Sequence, residues 1–391
     1  MENINKNRLF IASCIALLVT AMTFAIRARL ETVFGPDGVG LTLEQIGWAF
    51  TPAFWGFTIA MIVGGPLVDS LGIKKITWIA FITHAIGIIW TILAKDQTSL
   101  FLATLFVGIG NGMVEAALNP MIASMYTKNK TKMLNRFHVW FPGGIVIGSL
   151  VGWLVMDVMG LGWQVMVGVL FIPLIVYGFM FLGQNFPVTE RVQMGISNNK
   201  MIASLGKPLF IFMVLCMFLT AASELGTTQR IESLLKESVA VPLLVLAFIN
   251  GIMALGRAFA GKVIHKLQPA GMLLFSAIFT FTGLWLLTIT SGGMTFAAAA
   301  VFAVGVTFFW PTMLGFVAEY LPETGALGLS IMGGAGMLSV SVVLPVMGNM
   351  MDNASAIEAL RTMSILPAIL IVAFIGLYIY MKKRKTNTQE A

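Results

Sequence analysis

A glutamate stands at position 115 in the run GIGNGMVEAALNP, inside an apolar stretch from about Leu100 to Tyr126 that is long enough to cross a bilayer. An ionisable side chain at that depth is costly and marks a functional site by default, and a carboxyl group there can take up and release a proton. Asn111 and Asn119 lie four residues to either side. On a helix the three side chains share one face, and Pro120 follows where the helix can kink or open. That face is expected to line a wet cavity in which Glu115 handles a proton and the two asparagines bond a polar substrate.

Two further stripes carry chemistry. Thr20, Thr23, Arg27 and Glu31 recur at intervals of three and four in the first apolar stretch, which turns Arg27 toward the cavity about 9 Å beyond the midpoint of its helix. Arg29 then points about 200° away, toward the outer interface. A guanidinium can grip a carboxylate in a bidentate fork or bond adjacent hydroxyls, so Arg27 leaves both an organic anion and a sugar open as substrate. In the seventh stretch Thr220, Glu224 and Thr227 share a face, with Gln229, Arg230 and Glu232 near its outer end. Glu224 and Gln229 are read as substrate-binding, with an ion pair from Glu224 to Arg230 or Arg257 as the structural alternative.

His138, in FHVWFPGG, is expected one turn inside the membrane, where an imidazole can relay protons near neutral pH or simply donate to a neighbouring helix. Trp310, flanked by Thr307 and Pro311, is the aromatic surface assigned to the apolar face of the substrate, ahead of Trp55 and Trp140. His84 and His265 carry no assignment. Cys14 and Cys216 both lie in apolar helices and act as small apolar residues, and neither a disulfide framework nor a metal site is indicated. The patterns of a phosphate-binding loop, a Ser-His-Asp triad and a zinc helix are all missing from the chain, so no enzyme, catalytic residue or cofactor is expected beyond a proton as coupling ion.

The elements that must position these residues follow from composition. The chain has 391 residues, of which 58% are hydrophobic and only 10% charged, with mean hydropathy +0.91, against roughly 25% charged in a soluble domain. The fold class is an all-α membrane protein. Twelve apolar spans are read at about 9–34, 45–70, 76–94, 98–126, 136–158, 162–183, 208–234, 240–264, 270–291, 294–318, 325–351 and 361–381. Lysine and arginine gather in alternate loops, at Lys6 and Arg8, Lys74 and Lys75, Lys128 to Arg136, Arg191 to Lys207, Lys262 and Lys266, and Lys382 to Lys385. The other loops hold little beyond Lys95, Lys236 and Arg361. Basic loops stay cytoplasmic, so both termini are predicted there, in a multi-pass plasma membrane protein of the bacterial inner-membrane kind. The net charge of +7 is an orientation signal with some attraction to anionic lipid and gives no reason to expect nucleic acid. The protein is expected to act as a monomer in the lipid bilayer on a small-molecule substrate.

A polar interruption divides the spans into an N-terminal six-helix bundle (1–184), a linker (185–207) and a C-terminal six-helix bundle with a basic tail (208–391). The halves echo one another. GGPLVDSLGIKK, Gly64 to Lys75, follows the second span, and GRAFAGKVIHK, Gly256 to Lys266, follows the eighth. The first of these resembles the cytoplasmic loop signature of the major facilitator superfamily, with Gly65, Asp69, Gly72 and Lys74 at the motif positions. The resemblance implies a conformational latch in which Asp69 meets a helix N-terminus or a basic residue across the bundle interface, with Arg257 in the repeat of that latch. The fourth span resembles the fucose-galactose-glucose proton symporter branch, through Glu115, Asn119 and Pro120 and the Leu134-Asn135 pair that precedes the fifth helix. It departs from that branch in the first helix, where TFAIRARLE carries Arg27, Arg29 and Glu31 and no aspartate. The resemblance implies proton-coupled uptake of a monosaccharide by alternating access. Arg27, Asn111, Glu115, Asn119, Glu224, Gln229 and Trp310 would bind substrate, and Glu115 and His138 would move the proton. An organic anion carrier built on Arg27 and a sugar sensor that binds without translocating remain the alternatives.

Overall fold

The structure, a computed structural model, describes residues 4–35, 39–235, 237–239 and 242–390. Lys236 lies outside the described residues, as do the side chains of Glu232, Lys262 and Lys385. Among the described residues eleven helices are long and apolar enough to cross a membrane. They are α1 (Lys6–Glu31), α2 (Gln45–Leu71), α3 (Ile73–Leu93), α4 (Gln97–Met125), α5 (Lys130–Val158), α6 (Trp163–Phe181), α7 (Pro208–Gln229), α9 (Val263–Leu287), α10 (Met294–Tyr320), α11 (Pro322–Met351) and α12 (Ala356–Arg384). The shorter apolar helix α8 (Leu244–Ala258) completes the set of twelve, arranged as two six-helix bundles as expected.

Local chemistry explains several boundaries. Asp96 caps α4 by accepting from the Ser99 amide at 2.8 Å, while the Ser99 hydroxyl accepts from the Asp96 amide at 3.1 Å, so two otherwise orphaned donors are satisfied reciprocally. Gly72 turns the chain between α2 and α3 with φ +87°, a conformation that a side chain would strain. The fifth helix begins earlier than expected. Lys130 to Phe137 is already helical, and Lys130 is buried rather than solvated in a basic loop.

Both chain ends share one face of the molecule. Lys6 donates to the carbonyl of Met125 and Arg8 to that of Met180, at the ends of α4 and α6, and Lys207 pairs with Glu323 beside the tail of α12. On this face the two bundles are shut against each other. A Cβ on Gly65 of α2 would come within 2.8 Å of the Ser330 Cβ and 2.9 Å of the Leu327 Cα on α11, so only glycine permits that approach. The Lys130 ammonium donates to the carbonyl of Ala318 (2.8 Å), the Thr131 amide donates to the Glu319 carboxylate (2.9 Å), and Asn135 donates to the Thr312 hydroxyl (3.3 Å). All three join α5 to α10.

The segment between α6 and α7 folds across this closure. Its short helix Glu190–Gln193 places Arg191 at 2.7 Å from Asp69 and Glu190 against Lys130, while Thr189 donates to the other Asp69 oxygen. The basic partner of Asp69 is therefore in the linker, beside Gly325 at the start of the α11 helix. Lys74 is exposed at the edge of this cluster.

The second glycine-rich motif is not a loop. After α8 the chain breaks at Phe259 and resumes as helix through the GKVIHK residues, and Gln268, at φ 58° and ψ 167°, kinks α9 ahead of Pro269. Gly256 and Arg257 consequently lie inside the eighth crossing, and Arg257 is only 1% exposed. Its placement in a latch repeat is corrected by this position. A buried guanidinium cannot remain in an apolar core without acceptors, and it finds them at the centre of the molecule.

Candidate functional site

Two prolines prepare the centre. Proline has no N–H to complete the helical bond to the carbonyl four residues before it. Pro142 in α5 therefore frees the carbonyl of His138, and Pro311 in α10 frees that of Thr307. Both helices break at these points, α5 at His138 and Val139, α10 at Thr307 and Phe308. Arg257 donates through Nη1 to the His138 carbonyl (3.1 Å) and through Nε to the Thr307 carbonyl (2.7 Å). Through Nη2 it also donates to Oε1 of Glu224 at 2.8 Å. One planar fork thus ties a charged partner on α7 to two proline-released carbonyls, one from each bundle. Glu224 itself sits in a π-helical turn, Ala222–Gly226, a local widening that recurs at functional sites.

Glu115 stands on the other side of the same space. The amide of Asn119 donates to its Oε2 at 2.5 Å, and His138 Nε2 lies 3.4 Å from that oxygen, near enough for an ion pair but without a formed hydrogen bond. His138 Nδ1 is 2.9 Å from the carbonyl of Leu134, which can only accept, so Nδ1 carries a hydrogen. The other ring nitrogen, Nε2, faces Glu115.

Glu115, His138, Phe141, Glu224, Arg257 and Trp310 border one small void with room for about one water, so the cavity is closed in this conformation. Two buried polar atoms on its lining residues lack a hydrogen-bond partner, His138 Nε2 and Glu224 Oε2, and so does Oδ1 of Asn119, whose amide bonds Glu115. A polar guest would complete them. Trp310 is seated by α11, where a Cβ on Gly336 would come within 2.5 Å of its ring.

The structure therefore brings together Glu115, Asn119, His138, Glu224 and Trp310 and adds Arg257. It separates the others. Asn111, though four residues from Glu115, turns into the N-terminal bundle, where its oxygen meets His84 Nε2 at 2.8 Å and its amide donates to Thr23 at 3.1 Å. His84 continues the chain to the Tyr177 hydroxyl at 3.2 Å. This buried network was missed because a lone histidine in an apolar helix gives no periodic signal. Gln229 is exposed near the end of α7. Arg27 is also outside the central void. It lies inside the N-terminal bundle with its guanidinium over Phe24 (4.6 Å) and Phe54 (4.7 Å). Phe24 in turn packs edge-on against Phe141, which borders the central void. Arg29 pairs with Asp157 at the far end of α5, near the outer end of the bundle.

Comparisons with known proteins agree with this architecture. FucP in its outward conformation aligns with TM-score 0.79 and 16% identity over 95% of this chain and 98% of that one. The human organic anion transporter MFSD10 aligns with TM-score 0.74 and 13% identity over 95% and 100%. At such identities the likeness is one of fold. By sequence, a di-/tripeptide transporter of Lactococcus lactis subsp. lactis (strain IL1403) is 27% identical over 129 residues, which is 32% of this chain and 26% of the relative. The chain thus matches only about a quarter of the length of that relative. The family model described as Major Facilitator Superfamily matches residues 9–325, most of the chain. With two six-helix bundles meeting at a closed polar centre, the chain belongs to the Major Facilitator Superfamily of membrane transporters.

Proposed function

We propose that this transporter carries a monosaccharide inward together with a proton, by alternating access of the centre between the two bundles. The observation that carries the reading is a pair of unpartnered polar atoms, His138 Nε2 and Glu224 Oε2, on a void that Glu115 and Trp310 also border, with a third, Asn119 Oδ1, on the amide that bonds Glu115. Sugar hydroxyls both donate and accept, so one ring could satisfy an amide oxygen, a carboxylate and an imidazole while its apolar face rests on Trp310. The fold likeness to FucP, which is described as the Escherichia coli fucose:proton symporter, lies in the same direction.

In the proposed cycle, opening toward the side away from the chain ends lets a proton reach Glu115 and His138. With Glu115 neutral and His138 neutral, the central void is bordered by one ion pair, Glu224 with Arg257, whose charges cancel. Closing around substrate would then carry no uncompensated charge through the low-dielectric centre. Opening the face that bears Asp69 and Arg191 would release proton and sugar together. The positive-inside argument supports a cytoplasmic side for both chain ends and that face.

A second reading, organic anion carriage, is favoured by one observation: the Arg27 guanidinium has no anionic partner among the described residues. Reconstitution into proteoliposomes with an internal pH dye separates the readings. Internal acidification triggered by a monosaccharide and lost in Glu115→Gln supports sugar symport. Proton entry triggered only by small carboxylates replaces it with anion carriage. Binding without label exchange in counterflow would make the protein a sensor.

A further inference from the structure

Four cationic side chains are at least nine-tenths buried among the described residues: Arg27, Lys130, Arg191 and Arg257. Three have carboxylate partners, Lys130 with Glu190, Arg191 with Asp69 and Arg257 with Glu224. Arg27 is the exception. It is 9% exposed and makes contact through its charge only with the faces of Phe24 and Phe54. Cation–π attraction offsets part of the cost of burial but neutralises no charge. The guanidinium borders a void enclosed by α1, α2, α3, α4 and α6, with room for about two waters. Three threonine hydroxyls, from Thr23, Thr91 and Thr104, also border it. Each already donates its proton to a backbone carbonyl, those of Thr20, Gly87 and Ala49 respectively. What the void offers a guest is therefore the free N–H groups of one cation.

Water in the void would hydrate Arg27 but leave a full positive charge inside an apolar bundle, whereas an anion would cancel it. We propose that this void is an anion site, distinct from the central cavity, and that Arg27 holds a small monovalent anion there. A halide ion satisfies the chemistry, since it is about the size of the space, carries one charge and needs only donors. A carboxylate group presents the same charge and could arrive on a substrate, because Phe24 touches both Arg27 and Phe141 of the central void. The enclosure by a single bundle favours the free ion, and the site is independent of what the central cavity carries.

The test is thermal unfolding of the full-length protein in detergent, followed by tryptophan fluorescence, in sodium chloride, bromide, acetate and gluconate at matched ionic strength. Chloride and bromide are expected to raise the midpoint by a few degrees in a saturable way, and gluconate to leave it unchanged. Arg27→Gln is expected to abolish the halide shift, with a midpoint in gluconate no lower than that of the unsubstituted protein, since the buried charge is gone. Should Arg27→Gln not fold, equilibrium binding of radioactive chloride to the unsubstituted protein replaces it, with one ion per chain expected. Equal midpoints in chloride and gluconate, a halide shift that survives Arg27→Gln, or no bound chloride would overturn the proposal. A shift with acetate alone would overturn the resident ion and assign the site to a substrate carboxylate. Failure of sugar-driven proton entry would leave these measurements untouched, so the two readings fail separately.

Discussion

The guanidinium of Arg257, on a helix of the C-terminal bundle, donates to the carbonyl of His138, 3.1 Å away on a helix of the N-terminal bundle. Pro142 has no amide to give that carbonyl the usual helical bond, which leaves it to Arg257 and to the Phe141 amide at 3.3 Å. The bond links the ion pair of one bundle to the residue whose imidazole faces Glu115 in the other, so the two bundles meet through a structure that has to break when the centre opens.

Truncating Arg257 leaves Glu224 as a buried, unpaired carboxylate. Arg257→Leu is expected to destabilise the protein by about 3–5 kcal/mol, the usual cost of orphaning one member of a buried pair. The double variant with Glu224→Leu should recover much of that loss, because no charge is then stranded. Thermal midpoints of the two single variants and the double form a cycle, and strict additivity would contradict the pairing. Arg257→Lys tests geometry: an ammonium keeps the charge but lacks the planar fork, so transport should fall more than stability does.

Removing the prolines should act on the same bond from the other side. Pro142→Ala supplies an N–H that competes with Arg257 for the His138 carbonyl, and Pro311→Ala does the same for Thr307. Each substitution should stabilise its own helix while weakening the hold of Arg257. Uptake is expected to drop by about tenfold for a loss of roughly 1.4 kcal/mol at the closed state, with an unchanged or raised unfolding midpoint. A lowered midpoint together with full uptake would count against the arrangement.

Glu115→Gln preserves size and can still accept from Asn119, but it exchanges no proton with His138. Substrate-driven proton entry should disappear while counterflow exchange of sugar persists. Loss of both activities would instead make Glu115 a binding or structural residue, and its assignment as proton carrier would have to be withdrawn.

Gly65→Val places a side chain where α11 already stands, within 3 Å of Ser330 and Leu327. The face bearing the chain ends should then fail to close. Cysteines introduced at Asn135 and Thr312, which touch across that closure, should react readily with a soluble maleimide in the Gly65→Val background and poorly without it. Arg191→Ala, which removes the linker partner of Asp69, should shift labelling in the same direction by a smaller amount, since the glycine contact remains.

The sequence by itself determined the membrane class, the twelve crossings and most of their limits, because span length and apolar content are properties of a continuous stretch of chain. It also determined that Glu115, Asn119, His138, Glu224 and Trp310 were worth attention, since each is polar or aromatic beside a proline or at helical spacing inside an apolar run. Tertiary structure decided where those faces point. Asn111 and Glu115 share a helical face by spacing, yet a helix side wide enough to hold both also touches two different neighbours, and His84 on α3 claims Asn111. Arg27 faces inward as its stripe requires, but inward for α1 means toward the interior of its own bundle. The sequence offered Arg257 either as a partner of Glu224 or as a member of the latch repeat, and only the packing of α8 settled on Glu224 and added two carbonyls far away in the chain. Periodicity specifies the direction of a side chain relative to its own helix axis, whereas the partner it meets depends on how the helices are rotated and packed against one another, and that is set by contacts between residues distant in sequence.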